Sequence, residues 1–572
     1  MFHVKNRMQL QLPTNLTRFN DKKHNFLQKT VYHTFRTKFL PYLPVSLYRD
    51  HFNSEFGRKT KDIQSILGLF ILQALFEMTD KEAQEDFMFD QKTQYALDVK
   101  ESDSYLSPRA FYYYKAKLLG TEQQIFERVL EKIFDEIGLE HALQRTDSSL
   151  VRLNLKNMSE WELFKTTLVK ALKEIKKSFP ILFIKLPENI QLYVKESEKN
   201  TWFTDFTPNK AKEYLQQAAQ DALTLKEIFA DHPKVSKLQS FQLVLRLIDE
   251  RVTIDEDQIQ VGLKNECKGS AMVNPHDPDA QFNGHKKDVG YKVTISETCS
   301  PDSETPNPKI ITDVRMDQAN VSDHDILEPS IDAREERGLK PETELTDNGF
   351  ESDANHQSLK EKGVDLVAPP TGKPPEGLGI IDFDLGLDGR SLNACPAGQS
   401  CTENRVNENA QKTISYFDPE KCRACPHSED CPIKITKLKA RVEWNWSKPR
   451  LEARRLAFQE DQETINLFKQ RAGGEASFSQ LKVNLGLDRL RCRGASKSKF
   501  KITMAATALN ILRVFNWLAS QGSSASKIRK KAAKRGKRRY LLPLYRHFRH
   551  FFQKIAQIFQ MNIKFVRIFS VK

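Results

Sequence analysis

Between Lys61 and Met78, apolar side chains recur at Ile63, Ile66, Leu67, Phe70, Ile71, Ala74 and Leu75, the three-and-four spacing of a helix with an apolar stripe. Thr79 and Glu82 then stand as a capping box for a following helix. Ser107 and Pro108 open a third, AFYYYKAKL, since proline suits a first helical turn. These signals predict an all-α N-terminal domain over residues 1–140. The aromatic and basic residues Tyr112, Tyr113, Tyr114, Lys115 and Lys117 suit either helix packing or contact with DNA.

After Arg145 the pattern changes. TDSSLVRLNL reads as a strand, followed by a helix-rich stretch that includes WELFKTTLVKALKEIKK and FQLVLRLIDERV. Strand signals resume in VGYKVTISE and KIITDVRM. A helical DHDILEPSIDAREERG, a strand ETELTD, a helix SDANHQSLKEKG and a strand VDLVAP complete the run. Because the helices of about 156–285 separate two strands, they read as an insertion. Without them the order is three strands, a helix, a strand, a helix and a strand, which predicts an α/β fold with an RNase H-like mixed sheet and helices on its faces.

Composition changes this picture in one place. Of a formal net charge of +14, the segment Ser520 to Lys572 supplies fifteen Lys and Arg and no Asp or Glu. The rest of the chain is therefore close to neutral, and an argument from charge toward a polyanionic partner applies mainly to the tail. That tail begins with a linker-like QGSSAS and ends in an aromatic, basic stretch; phosphate binding, a solvated extension and contact with a membrane or an acidic protein all remain open for it. The apolar run IQSILGLFILQALF is short for a bilayer and carries Gln64 and Gln73. With no signal-peptide pattern at the N-terminus, the chain is expected to be cytoplasmic, without a membrane partner.

The most specific segment is FKQRAGGEASFSQLK, in which Phe468, Arg471, Glu475 and Lys482 are spaced three, four and seven apart. On a continuous helix at about 100° per residue these four fall within an arc of about 60°. An Arg and a Glu four apart also make an ordinary exposed ion pair. Gly473 and Gly474 each cost about 1 kcal/mol inside a helix, so the helix is allowed to start at Glu475, with Arg471 and Phe468 on a turn before it.

The segment reproduces the Y-x2-R-x3-E-x6-K signature of DDE transposases from bacterial insertion sequences, with Phe468 in the tyrosine position. Together with GLDRLRCRGASKSKFKITMAATALNILRVFNWL it resembles the C-terminal catalytic block of the subgroup that carries a cysteine-containing insertion. The resemblance covers roughly residues 35–519. It implies a nucleoid-associated bacterial enzyme that acts on the terminal inverted repeats of its own element and on target DNA, as a homodimer that holds two ends together.

Phosphoryl transfer on DNA uses carboxylates that hold two Mg²⁺ ions about 3.5–4 Å apart, with Mn²⁺ as a substitute. In an RNase H-like order the first acid lies on the first strand and the second at the end of the fourth. That selects Asp147 and Asp347 as the first two catalytic, metal-holding residues, and the resemblance makes Glu475 the third. Asp277, Asp279, Asp313 and Asp323 are the competing acids. Arg471 and Lys482 are expected to handle phosphate, and Phe468 to keep a ring against DNA without the tyrosine hydroxyl.

Five cysteines cluster in CPAGQSC and CRACPHSEDC. The spacing suits zinc, with Cys395, Cys422, Cys425 and Cys431 as the preferred ligands and Cys401 or His427 as substitutes; thiols that bind nothing are the other reading. Trp444 and Trp446 suit either packing of this segment or stacking on an unpaired base. The expected division is 1–140 helical, 141–385 first part of the core, 386–454 the Cys-rich insertion, 455–519 second part of the core, and 520–572 the basic tail. Two other functions remain open: a catalytically inactive DNA-binding protein derived from a transposase, and a nuclease that cuts without joining.

Overall fold

A computed structural model describes residues 2–5, 21–52, 56–57, 59–199, 210–255, 258–261, 269–299 and 308–521. The expectations for the basic tail lie outside them. Residues Met1–Ile511 form one compact unit and Leu512–Lys572 a second; apart from the last turns of the final helix, the features below belong to the first.

The N-terminal helices form where the capping signals place them. Helix α1 (Ile63–Leu75) is capped by Asp62, whose carboxylate accepts the Ser65 amide at 3.0 Å. All of its residues are buried, the two glutamines included, so it is a central helix and its apolar stripe understates how fully it is covered. Gln73 is accommodated because its amide donates to Met78 O and to Asp80. Thr79 and Glu82 make the reciprocal capping box of α2 (Asp80–Phe89), and Ser107 caps α3 (Pro108–Leu118). In α3, Tyr114 is buried and accepts the Lys61 amide, whereas Tyr112 and Tyr113 are exposed.

The sheet is mixed. Its strands are β1 (Leu143–Leu153), β2 (Gln281–Asn283), β3 (Asp288–Thr298), β4 (Ile311–Gln318), β5 (Thr343–Leu345), β6 (Asp365–Val367) and β11 (Arg489–Leu490). β3 pairs antiparallel with β1, β2 and β4. β5 runs parallel to β1, and β6 parallel to β5. The path β4-β3-β1-β5-β6, with α8 (Asp323–Glu336) before β5 and α9 (Asp353–Glu361) before β6, is consistent with the RNase H-like order read from the sequence. Between β1 and β2 lie α4 (Glu160–Ser178), α5 (Glu188–Lys199), α6 (Ala211–Phe229) and α7 (Gln239–Arg251), which share an apolar cluster built on residues such as Phe164, Leu172, Leu225 and Phe241.

A buried polar network ties α8 to the central strands. Arg334 pairs with Glu344 at 2.7 Å and donates to Gln144 at 2.9 Å, with Arg334 and Glu344 fully buried. Thr146 also donates to Glu344. Charges this deep are tolerated only when partnered, so the network fixes one arrangement of β1, β5 and α8.

The Cys-rich stretch folds around its own antiparallel sheet, β7 (Glu403–Asn407), β8 (Lys412–Phe417), β10 (Ala440–Asn445) and β9 (Lys434–Ile435), in that spatial order. Trp444 is buried beneath it and donates to Ser415. Trp446 donates to Thr413 and lies under Arg390. Both indoles are therefore engaged in packing this segment. A final helix starts at Ala495; over residues 502–511 it is buried, and the Asn510 amide accepts from Ile311 N and donates to Ile311 O, both at 2.8 Å. By length and composition this helix, Ala495–Gln521, is the one described helix apolar enough to cross a membrane; the burial of its 502–511 part suits a core helix equally.

Candidate active site

The register of β1 and β5 brings two acids together. Arg145 is paired with Leu345 in the parallel ladder, and Asp147 and Asp347 each lie two residues farther along. Beyond that point β5 has ended, and the same edge of β1 is not taken up again until β11 pairs with Arg152 and Leu153. Asp147 therefore faces an opening in the sheet edge. Its Oδ1 accepts the Ser148 amide at 2.9 Å, and Asp347 Oδ1 accepts the Gly349 amide at 2.9 Å in the turn that follows.

Into that opening comes the segment that carries Arg471 and Glu475, but as a broken helix. Gln462–Lys469 is helical, Gln470–Ala472 is a 3-10 turn, Gly473–Ser479 is a short helix and Gln480–Asn484 a π turn. The single narrow face expected from a continuous helix is thus corrected: Phe468, Arg471, Glu475 and Lys482 sit in four successive elements. Buried Arg145 accounts for the break, because its Nη1 takes the Gln470 carbonyl at 2.5 Å and so competes with helical bonding there. The short helix starts at Gly473 rather than Glu475, and the two glycines let it approach the strand. A Cβ on Gly473 would stand 2.1 Å from Arg145 Nη1, and one on Gly474 3.3 Å from Asp147 Oδ2.

Arg471 reaches both acids. Its Nη2 lies 3.8 Å from Asp147 Oδ1 and 3.6 Å from Asp347 Oδ2. These are ion-pair distances longer than hydrogen bonds, and its buried Nε has no hydrogen-bond partner among the described residues. Burial, more than any other influence, pushes the Asp147 carboxyl up to about 6; Arg471 opposes this, while Asp347 and Glu475 add to it. Glu475 is thus an electrostatic neighbour of Asp147, and its side chain is exposed. Lys482 turns to a different part of the strand and donates to Ser149 Oγ at 2.6 Å, with burial lowering its affinity for a proton. Phe468 is half-buried and packs edge-on against Phe458, ring centres 5.3 Å apart.

The competing acids are used by the scaffold or face solvent. Asp313 is buried between Ser330 and Arg337. Asp277 is buried, accepting from Tyr291 and from the Gly494 amide. Asp323 pairs with Lys292, and Asp279 is exposed.

Three residues that position the site were missed in the sequence. Glu297, at the end of β3, accepts from Arg145 Nε at 2.8 Å and from Ser477 Oγ at 2.6 Å. The Arg145–Glu297–Ser477 chain thereby fastens the Glu475 helix to β1 and β3. The available signal was charge at buried strand positions: Arg145 is two residues from Asp147, hence on the same face of β1.

The expected zinc ligands are neighbours of one another. Burial raises the Cys422 thiol to about 11, with Cys395, Cys431 and Cys425 adding to the effect. Cys401 turns away, toward the carbonyls of Glu403 and Tyr416. Among the described residues, no group of three or more His, Cys, Asp or Glu is gathered closely enough to hold a metal ion. That holds for the four thiols and for the three acids alike, so zinc has no geometric support. For the acids the donor chemistry fits all the same: hard oxygens suit Mg²⁺, and the position between Asp147 and Asp347 is already occupied by a cationic group.

Residues 394–515 match the model of a family described as "Transposase DDE domain". The matched stretch contains the Cys-rich segment, Arg471, Glu475 and Lys482, and excludes Asp147 and Asp347. No curated protein and no solved structure matches the chain. The match supports a DDE transposase, a class of polynucleotidyl transferases that act on DNA and generally use divalent ions such as Mg²⁺.

Proposed function

We propose that the protein is a DDE transposase of the Y-R-E-K type, which cuts the 3′ ends of its own insertion sequence and joins each freed 3′-OH to target DNA. The observation that carries this reading is the shared register of Asp147 and Asp347, with Arg471 between them and Glu475 beside them.

Asp147, Asp347 and Glu475 would hold Mg²⁺, which when bound activates the attacking oxygen and stabilises the leaving one. Arg471 stands where it can neutralise the scissile phosphate, and it restrains the two acids from repelling each other while DNA is absent. Lys482, which donates to Ser149, would contact the backbone of the strand being cut. Phe468 contributes a ring and no hydroxyl, so its side chain offers no hydrogen bond to phosphate.

Residues 141–385 and 455–519 are read as the two parts of the catalytic core. The N-terminal helices serve end binding or dimerisation, and the Cys-rich segment steadies the DNA end. In that segment Cys395, Cys422, Cys425 and Cys431 are proposed to take a structural Zn²⁺, a reading that rests on their spacing in the sequence alone.

The test is incubation of the full chain with duplexes carrying the inverted repeats that flank its coding region, with Mg²⁺ or with EDTA. Metal-dependent cleavage and joined product are expected. Nicking without joining would mean a hydrolytic nuclease, and binding without either product an inactive DNA-binding remnant.

A further inference from the structure

Beside the carboxylate site lies a cleft of about 900 Å³ between the N-terminal helices and the segment from Lys482 to Met504. Its charges are unbalanced. On the acidic side, Asp80 is taken by Lys115 and Gln73, and Asp488 by Arg152. On the basic side, Lys482, Arg491, Arg493, Lys497 and Lys501 all line the cleft, and none of them enters an ion pair among the described residues. Glu77 is the remaining acid of the lining.

Like charges gathered in a concave, partly desolvated place repel one another and raise the free energy of the empty protein. Lys501 carries the desolvation part of this cost: burial, more than any other influence, lowers its affinity for a proton, Lys115 adds to the effect, and Glu77 opposes it. A bound polyanion offsets that cost. Lys482 links the cleft to the site already described, because it lines the cleft and at the same time bonds to Ser149, two residues from Asp147.

We propose that this cleft receives the phosphodiester backbone of a DNA strand running to or from the carboxylates, with Arg491, Arg493, Lys497 and Lys501 as its phosphate contacts. The assignment deepens the transposase reading and rests on it for the identity of the polyanion. An acidic protein segment has no reason to extend toward paired carboxylates, whereas a DNA strand that must present a phosphate there does.

The experiment uses the full chain in EDTA, so that it reads binding and not cleavage. Lysine acetylation by an N-hydroxysuccinimide ester is followed by mass spectrometry with and without a mixed-sequence duplex of about 40 base pairs, roughly four helical turns. Lys497 is exposed, and its labelling is expected to fall several-fold on adding DNA. The triple variant Arg491→Gln, Arg493→Gln, Lys497→Gln changes exposed side chains only, and an unchanged melting curve verifies its fold. Its slope of log affinity against log salt is expected to be shallower by about one per residue replaced; the basic tail contributes equally to both proteins and leaves the difference intact. Unchanged Lys497 labelling together with an unchanged slope would overturn the proposal, as would equal protection by polyglutamate. Protection without any metal-dependent cleavage would uphold the DNA cleft while removing the catalytic reading.

Discussion

Gly473 packs against Arg145 so closely that a Cβ added to it would stand 2.1 Å from the guanidinium Nη1. Arg145 cannot yield, because it is buried and tied to Glu297 and to the Gln470 carbonyl. In the sequence the glycine pair counts against a helix; in the structure it is what lets the helix bearing Glu475 reach the strand bearing Asp147.

Gly473→Ala is therefore expected to destabilise the fold by about 1–3 kcal/mol, as overpacking does, although alanine favours a helix by about 1 kcal/mol. Displacing Glu475 should also lower cleavage on the order of a hundredfold. Gly474→Ala, with 3.3 Å to the nearest atom of Asp147, should be milder in both respects. Thermal melts and cleavage rates of the two variants check this ordering; a Gly473→Ala protein more stable than the parent would refute the close-approach argument.

The Arg145–Glu297 pair makes a separate demand. Glu297→Gln leaves a buried guanidinium without its counter-charge and should cost about 3–5 kcal/mol. Replacing both, as Arg145→Met with Glu297→Leu, should restore much of that stability while leaving Ser477 without its acceptor and cleavage impaired. Denaturant melts of the single and double variants provide the comparison.

Asp147 gives a pH signature that needs neither metal nor DNA. Its carboxyl is raised from 3.8 to about 6, chiefly by burial, so the folded state holds the proton more tightly than the unfolded chain. Its contribution is fully present below about pH 4 and is lost as pH rises through about 6, to the extent of on the order of 2–3 kcal/mol. Asp147→Asn should remove that dependence, so its stability relative to the parent should increase between pH 4 and pH 8. A constant difference across that range would contradict the assigned environment.

For the Cys-rich segment, the zinc proposal predicts about one equivalent of Zn²⁺ per chain in purified protein, lost in Cys422→Ser and retained in Cys401→Ser, whose thiol bonds to carbonyls. Elemental analysis of the three proteins decides it.

Much of the fold was legible because the strands obey simple patterning. TDSSLVRLNL, VGYKVTISE, KIITDVRM, ETELTD and VDLVAP all became strands of one sheet, in the order expected. That Asp147 and Asp347 come near each other, each two residues beyond the Arg145–Leu345 pair, could also be anticipated, since strand order fixes neighbours. What could not be read was set by contacts between residues far apart in the chain. The interruption at Gln470 depends on an arginine 325 residues earlier, and no local propensity encodes it. Glu297 read as an unremarkable strand end because its partners, Arg145 and Ser477, belong to other elements. By contrast, the burial of α1 on every side was legible, since Leu69 and Leu72 lie off its apolar stripe and make it apolar nearly all round.

The central claim is that Asp147, Asp347 and Glu475 act together in metal-dependent DNA strand cleavage. It is tested most directly by Asp147→Asn, Asp347→Asn and Glu475→Gln, each assayed with Mg²⁺ on duplexes that carry the terminal repeats, alongside a measurement of DNA binding by the same proteins. Each substitution should abolish both cleavage and strand transfer while binding persists. Full activity in any one of the three would contradict the assignment.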